Sequence, residues 1–305
     1  MYKYILIVAA LVIIQGCGEG IVEIDSKIYE PRIVIYGFIE PGRAVKDISI
    51  TRNFPLNQKV NPDSLYLKDA DAIITDLNIN KSYKLDFNAE TKTFQRLDMV
   101  IAKGRSYKLS ISALIDGVTV EAFAVTNVPE ELPEIDTTRS KLEPFHVFDK
   151  DENGEFKCFE VCWKFSSDED CYIFTKETLN ISDSNKIWSM PFEAWELMYA
   201  KYGYHGYPKT YHMIDFVYNK EKSNGYHSYV IESYFFAYHG AQRFIVTTGD
   251  KNFLDYIKLP REVVDVDGNH FEPKYHVSGM GIGVFGSWAS DTVEVMLLPR
   301  NYGSN

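Results

Sequence analysis

Cys17 is preceded by Ile14-Gln15-Gly16, by an apolar run from Ile5 to Ile14, and by one positive charge at Lys3. An aliphatic residue at −3, a small residue at −1 and a cysteine to be acylated is the spacing of a lipobox. The apolar run is too short to cross a bilayer, which takes about 20 apolar residues, and has the length and flanks of a signal segment. Residues 1–16 are therefore expected to be a lipoprotein signal peptide and residues 17–29 a lipidated tether. Acyl chains on Cys17 would hold everything downstream at a membrane.

Other residue sets have types and spacings that bear on chemistry. Gly281, Gly283 and Gly286 match the spacing G-x-G-x-x-G, which in a dinucleotide site brings backbone amides to a pyrophosphate at a helix N-terminus. No βαβ pattern surrounds them and the flanking residues read as turn and strand, so a glycine-rich β-hairpin is expected instead. Neither a G-x-S-x-G elbow nor an H-E-x-x-H helix occurs, and no catalytic residues are assigned: the chain is not expected to be an enzyme. Asp265, Asp267, Asn269 and Glu272 offer oxygen ligands without the spacing of a calcium loop, and a solvated Asp-Gly turn is the expectation; no metal or cofactor is called for. With Cys17 acylated, Cys158, Cys162 and Cys171 remain, so at most one disulfide can form. Cys158 and Cys162, four apart on a strand, stand about 13 Å from each other and cannot pair.

The richest set is aromatic. Trp188, Trp195, Tyr199, Tyr202, Tyr204, Tyr207 and Tyr211 gather around Gly203, Gly206 and Pro208. Rings on loops give large contact area at small entropic cost, which makes this stretch the candidate binding surface. Its alternative role is packing: Phe192, Trp195 and Tyr199 would then be the core stripe of a helix that starts at Pro191 and ends at Gly203.

Cleavage before Cys17 removes Lys3 and takes the formal net charge from −11 to −12. An acidic chain is a poor partner for nucleic acid or for anionic lipid, so the acyl anchor must do the membrane work. A hydrophobic content of 45% with 14% aromatics marks a core-forming chain. No second apolar run approaches the roughly 18 residues of a membrane helix.

Strand signals position these residues. Arg32–Ile39 is β-branched and aromatic and ends at Pro41-Gly42. Tyr83, Leu85 and Phe87 share a parity, as do Tyr107, Leu109 and Ile111, and Asp116-Gly117 between two such runs is a hairpin signal. Residues 30–132 read as about seven short strands of a β-sandwich, closed by the linker Pro129-Glu130-Glu131-Leu132-Pro133-Glu134. Residues 133–305 read as a second β-rich domain with one short helix. There Phe159, Val161, Trp163 and Phe165 share a face, and Ser166–Asp170 is expected to fold that strand back onto Cys171–Thr175 as a hairpin.

The order of several segments carries a family resemblance. After Cys17 and its acidic followers come Pro31–Ile39, Asp71-Ala72-Ile73-Ile74, Gly104–Leu109 and Val128-Pro129; near the end stand Phe271-Glu272-Pro273, Val277-Ser278 and Gly281–Gly286. This order resembles an uncharacterised lipoprotein family of Bacteroidota, a domain-of-unknown-function family whose genes often stand beside TonB-dependent outer-membrane receptors. The resemblance implies an immunoglobulin-like first sandwich and a lipid-anchored outer-membrane protein, periplasmic or surface-facing, that assists such a receptor in nutrient uptake. The family brings no catalytic residues, and the chain departs from it by its tyrosine-rich stretch at 199–211. Asp63-Ser64-Leu65, Asp136-Thr137-Thr138 and Asp291-Thr292-Val293 are similar to the O-glycosylation pattern of such bacteria. The competing expectation is a structural or adhesive envelope protein.

Overall fold

A computed structural model describes residues 29–55, 58–164, 171–187, 213–218, 225–232, 236–262 and 276–301. Cys17, the helix expected from Pro191 and the Asp265–Glu272 segment lie outside them. Strict alternation builds the first strands: β7 (Ser106–Ile115) buries Tyr107, Leu109, Ile111, Ala113 and Ile115, and β8 (Val118–Asn127) buries Val120, Ala122, Ala124 and Thr126. They meet at Asp116-Gly117, where φ is 51° and 81°, the pair of left-handed residues whose twist matches that of the flanking strands. With β3 (Asp71–Asp76), β4 (Lys81–Lys84) and β16 (Val277–Gly279) they form a five-stranded sheet of order β16-β8-β7-β3-β4.

Facing it are β1 (Ile33–Ile39), β2 (Ala44–Arg52), β5 (Asp86–Asn88), β6 (Thr93–Val100) and the first part of β17 (Gly281–Leu298). Ile33, Ile35, Ile48 and Ile50 from one sheet and Ile74, Leu109, Ile111 and Ala122 from the other fill one core. Residues 30–132 hold eight strands, and the sandwich is completed by β16 and β17 from the far end of the chain.

A second core begins at Ile135. Its strands are β9 (Glu134–Ile135), β10 (Phe145–His146), β11 (Cys158–Lys164), β12 (Cys171–Thr178), β13 (Met213–Tyr218), β14 (Tyr226–Glu232) and β15 (Gly240–Gly249). The expected hairpin between β11 and β12 does not form: β11 pairs with β14 and β9, whereas β12 pairs with β13 and β15. Phe159, Val161 and Trp163 on β11 and Tyr172 and Phe174 on β12 are all buried in one cluster. Placing the two strands in opposed sheets buries both sets at once, with Trp163 5.7 Å from Tyr172 across the core. Phe159 lies at the centre, 4.5 Å from Phe145 and 5.5 Å from Phe244 between ring centroids. The chain is thus mainly β, a two-sheet sandwich followed by a second β-rich unit.

One strand belongs to both. Residues 281–287 of β17 run parallel to β1, and residues 288–297 run antiparallel to β15. Its glycines therefore serve strand packing and no hairpin or phosphate cradle: a Cβ on Gly283, where φ is +105°, would meet Ile35 O at 2.0 Å. Beside the switch from one partner to the other sits α1 (Lys251–Glu262), a helix that the sequence reading did not anticipate. Asp250 precedes it and its half-buried carboxylate gathers four donors. Oδ1 accepts from the amides of Phe253 (3.0 Å) and Ser287 (3.1 Å), and Oδ2 accepts from Thr126 Oγ1 (2.7 Å) and the Asn127 amide (3.3 Å). Asn252 Nδ2 donates to Val125 O and Phe285 O at 2.7 and 2.8 Å. Phe253 of α1 stacks edge-on against Phe38 at 5.6 Å and face-on against Trp288 at 6.3 Å. Helix, first sandwich and shared strand are tied at this joint.

Cys158 and Cys162 form no disulfide, and burial pushes the Cys162 thiol up from its ordinary range, which keeps it protonated. Lys176 on β12 is wholly buried, with its ammonium 4.2 Å from the Phe236 ring centroid. Burial lowers its pKa to about 7.

Gly283→Ala is expected to cost at least about 3 kcal/mol in urea unfolding, because both the backbone angle and the contact with Ile35 are violated. Gly117→Ala, left-handed but with open space around it, should cost only about 1–2 kcal/mol. Equal losses would show that β17 is not pinned by its approach to β1. Lys176 adds a pH prediction. The unfolded chain keeps this proton to about pH 10.5 and the folded chain only to about 7, so stability rises with pH across that window and the gain is lost as pH falls to 7. Lys176→Met should remove a slope of up to about 1.4 kcal/mol per pH unit from the unfolding free energy. An unchanged slope would place that proton elsewhere.

Candidate functional site

The outer face of the five-stranded sheet is concave where its central strand carries the small side chains of Ser110 and Ser112. On β7 the outward positions are Lys108, Ser110 and Ser112, between the bulkier outward residues of β3 and β8. Register sets three rows: Asp71–Ser112–Glu121, Ile73–Ser110–Phe123 and Thr75–Lys108–Val125. Strands about 4.8 Å apart put Ile73 and Phe123 on opposite walls roughly 10 Å apart with Ser110 as the floor. The trough encloses 340 Å³ and is closed at one side by Gly279. A Cβ at Gly279 would lie 2.6 Å from Glu121 O, so only glycine lets β16 come this close to β8.

Charge varies along the trough. One end carries the carboxylates of Asp71 and Glu121, and the other carries Lys108. Asp71 Oδ1 also takes Lys84 Nζ at 2.7 Å, and that carboxylate holds the Lys84 ammonium above its ordinary pKa. Lys108 leans back so that its ammonium stands 4.4 Å from the centroid of Phe123, a ring that is 42% exposed. An exposed ring beside hydroxyls, two acids and a mobile-headed base can receive a ligand with one apolar face and several polar groups, since each polar group finds a donor or acceptor within the rows. Among the described residues no cluster of three His, Cys, Asp or Glu could hold a metal ion.

A second concavity of 410 Å³ lies at the linker, lined by Lys103, Glu130, Glu131, Leu132, Pro133, Glu134 and Lys164. It joins the two units but presents no aromatic ring. A third polar feature is the pair His276 Nε2 and Asp255 Oδ2 at 2.7 Å, where Lys251 Nζ also bonds Asp255 at 2.7 Å. Against the burial that raises it, these two partners hold the Asp255 carboxyl below the usual carboxylate range.

Cys17 and the expected aromatic surface of Trp188, Trp195, Tyr199, Tyr202, Tyr204, Tyr207 and Tyr211 lie outside the described residues. Sequence reasoning missed the trough. Its one signal was the parity of Lys108, Ser110 and Ser112, opposite to that of Tyr107, Leu109 and Ile111, which alone says only that this side of the strand faces water.

A family model described as a domain of unknown function (DUF4249) matches residues 21–293. No curated protein is significantly similar in sequence. Among solved structures, the FN1–FN3 domains of chicken CNTN1 share 10% identity over 88% of this chain and 65% of that one, with a TM-score of 0.28. A 1.5-MDa bacterial ice-binding adhesin shares 10% identity over 89% of this chain and 65% of that one, with a TM-score of 0.21. The chicken interferon gamma receptor alpha chain shares 8% identity over 89% of this chain and 100% of that one, with a TM-score of 0.21. This chain spans 65% of the length of each of the first two.

Because Phe123 touches solvent and Lys108 and not the core, Phe123→Ala should lower stability by less than about 1 kcal/mol. Thermal unfolding checks this, and a loss of several kcal/mol would make the ring a packing element.

Proposed function

The chain belongs to the family described as a domain of unknown function (DUF4249), and from that premise we propose that it is a lipid-anchored outer-membrane binding protein that assists a TonB-dependent receptor in nutrient uptake. One observation carries the reading: Ile14-Gln15-Gly16-Cys17 ends in a cysteine 12 residues ahead of Tyr29, which is bonded to the first sandwich. An acyl anchor followed by a short tether and a β-sandwich would keep a binding face within tether's reach of the membrane, where a receptor also sits. The open trough supports the same reading, since a shallow site releases its ligand readily and suits handing it on. Its rows favour a short polar chain with one apolar face, laid over Ser110 between Ile73 and Phe123. The acidic net charge fits a partner other than nucleic acid.

Mild-detergent purification of the tagged native protein from its own outer membrane tests this. A large β-barrel receptor in stoichiometric amount is the expected companion. Recovery of the protein alone would overturn the accessory role, and recovery as polymers would favour a structural or adhesive one. Cys17→Ala should move the exported protein from the membrane to the soluble fraction with its fold unchanged; a variant still in the membrane fraction would remove the anchor.

A further inference from the structure

Tyr29 marks the pole from which the chain leads back to Cys17. Its hydroxyl lies 3.2 Å from both Asn53 O and Asp116 Oδ2 and accepts from Arg52 Nη2 at 2.9 Å. The Arg52 guanidinium grips Asp116 through both terminal nitrogens, with Nη1 to Oδ1 at 2.9 Å. Asn53 closes the clamp: its Oδ1 accepts from the Arg32 amide at 2.7 Å and its Nδ2 donates to Glu30 O at 2.8 Å. The start of the described chain is therefore fastened to the turn between β7 and β8.

That same turn carries apolar side chains in water. Leu114 is 71% exposed and Val118 47% exposed, on either side of Asp116-Gly117. By strand alternation they lie on opposite faces of the ribbon, so its tip is apolar on both sides. The packing of the sandwich does not need them there, since Ile115 and Val120 already close the core at this end. Opposite-charge neighbours at the tip, Arg52 and Asp116, are bonded to one another and leave little net charge.

We infer that this tip, led by Leu114 and Val118, rests in the surface of the lipid bilayer that holds Cys17, which sets the molecule with its first sandwich next to the membrane and its second unit away from it. The inference rests on the anchored reading above. Three observations select lipid as the occupant. The 12 residues from Cys17 to Tyr29 span at most about 43 Å when fully extended, and they begin at this pole. The mature chain is acidic, so contact with a bilayer has to come from apolar side chains and not from charge. The shared strand β17 runs from Gly281, level with Ile33 at this pole, to Leu298, about 56 Å further along, and carries the second core in that direction.

The test uses the lipidated full-length chain in vesicles of neutral phospholipid. An environment-sensitive fluorophore is attached at Leu114→Cys and, as a control on a distant exposed strand position, at Leu97→Cys, with the wild-type chain carried through the same labelling as background. Flotation with the vesicles reports the anchor separately from the tip. The expected result is flotation of both, with a blue-shifted emission at position 114 that is quenched at least twofold by headgroup-level nitroxide lipid, unaffected by 0.5 M salt, and an unshifted emission at position 97. Flotation with a solvent-like signal at 114 would overturn this inference and leave the anchor standing; absence of flotation would overturn the anchored reading and this inference with it.

Discussion

The structure depends on the last strand lying parallel to the first. A parallel neighbour cannot be reached by a tight turn and needs a crossover, and here everything between Ile39 and Gly281 serves as one. The pairing holds only because Gly283 has no side chain where the Ile35 carbonyl passes. Having joined the first sandwich, the same 18-residue strand continues into the second, delivering Phe285 to one core and Val295 and Leu297 to the other. Loss of its seat beside β1 therefore reaches both cores.

Asp250 braces the point where β17 changes partners. Burial pushes its carboxyl pKa up, because a charge there gives up water, and four hydrogen bonds from Thr126, Asn127, Phe253 and Ser287 work against that cost. The donors come from three parts of the joint: two from β8, one from the first turn of α1 and one from β17. A half-buried acid with this set of donors gives up more when a donor moves than an exposed one does, which stiffens the joint. Rigidity at this level is what lets the first sandwich and the second unit keep a defined relation.

The same sheet logic produces the trough. Inward positions of β7 are apolar and the outward ones from Ser106 to Ser112 are polar, so one strand supplies both core and floor. What makes the floor a site is its neighbours: pairing puts Ile73 and Phe123 beside Ser110, and Asp71 and Glu121 beside Ser112. Hydroxyls, acids and a ring that are far apart in the chain become one surface with a gradient of charge along it.

The β7–β8 hairpin was legible because alternation and Asp116-Gly117 are local, and both the strand bounds and the left-handed turn follow from them. The apolar face of Phe159, Val161 and Trp163 was legible for the same reason. Its partner was not: adjacency suggested β12, but two strands with apolar faces in one unit can either pair or oppose, and burial of both faces decides for opposition. α1 was missed because its helix signals, Asp250 as a cap with Phe253, Leu254 and Ile257 on one side, are outweighed locally by strand-forming neighbours and matter only once β1 and β17 offer a surface for them.

Read alone, the residues determined the β character, the acidic balance of the chain and which side of each strand is apolar, since each of these depends on a residue and its near neighbours. Tertiary structure alone decided which strands meet, that β17 serves two cores, where the trough lies and that Tyr29 is fastened to the β7–β8 turn. These depend on contacts between residues up to 250 positions apart, such as Ile33 with Gly281, and are selected by the burial of whole faces and by one missing Cβ, neither of which leaves a period in the sequence.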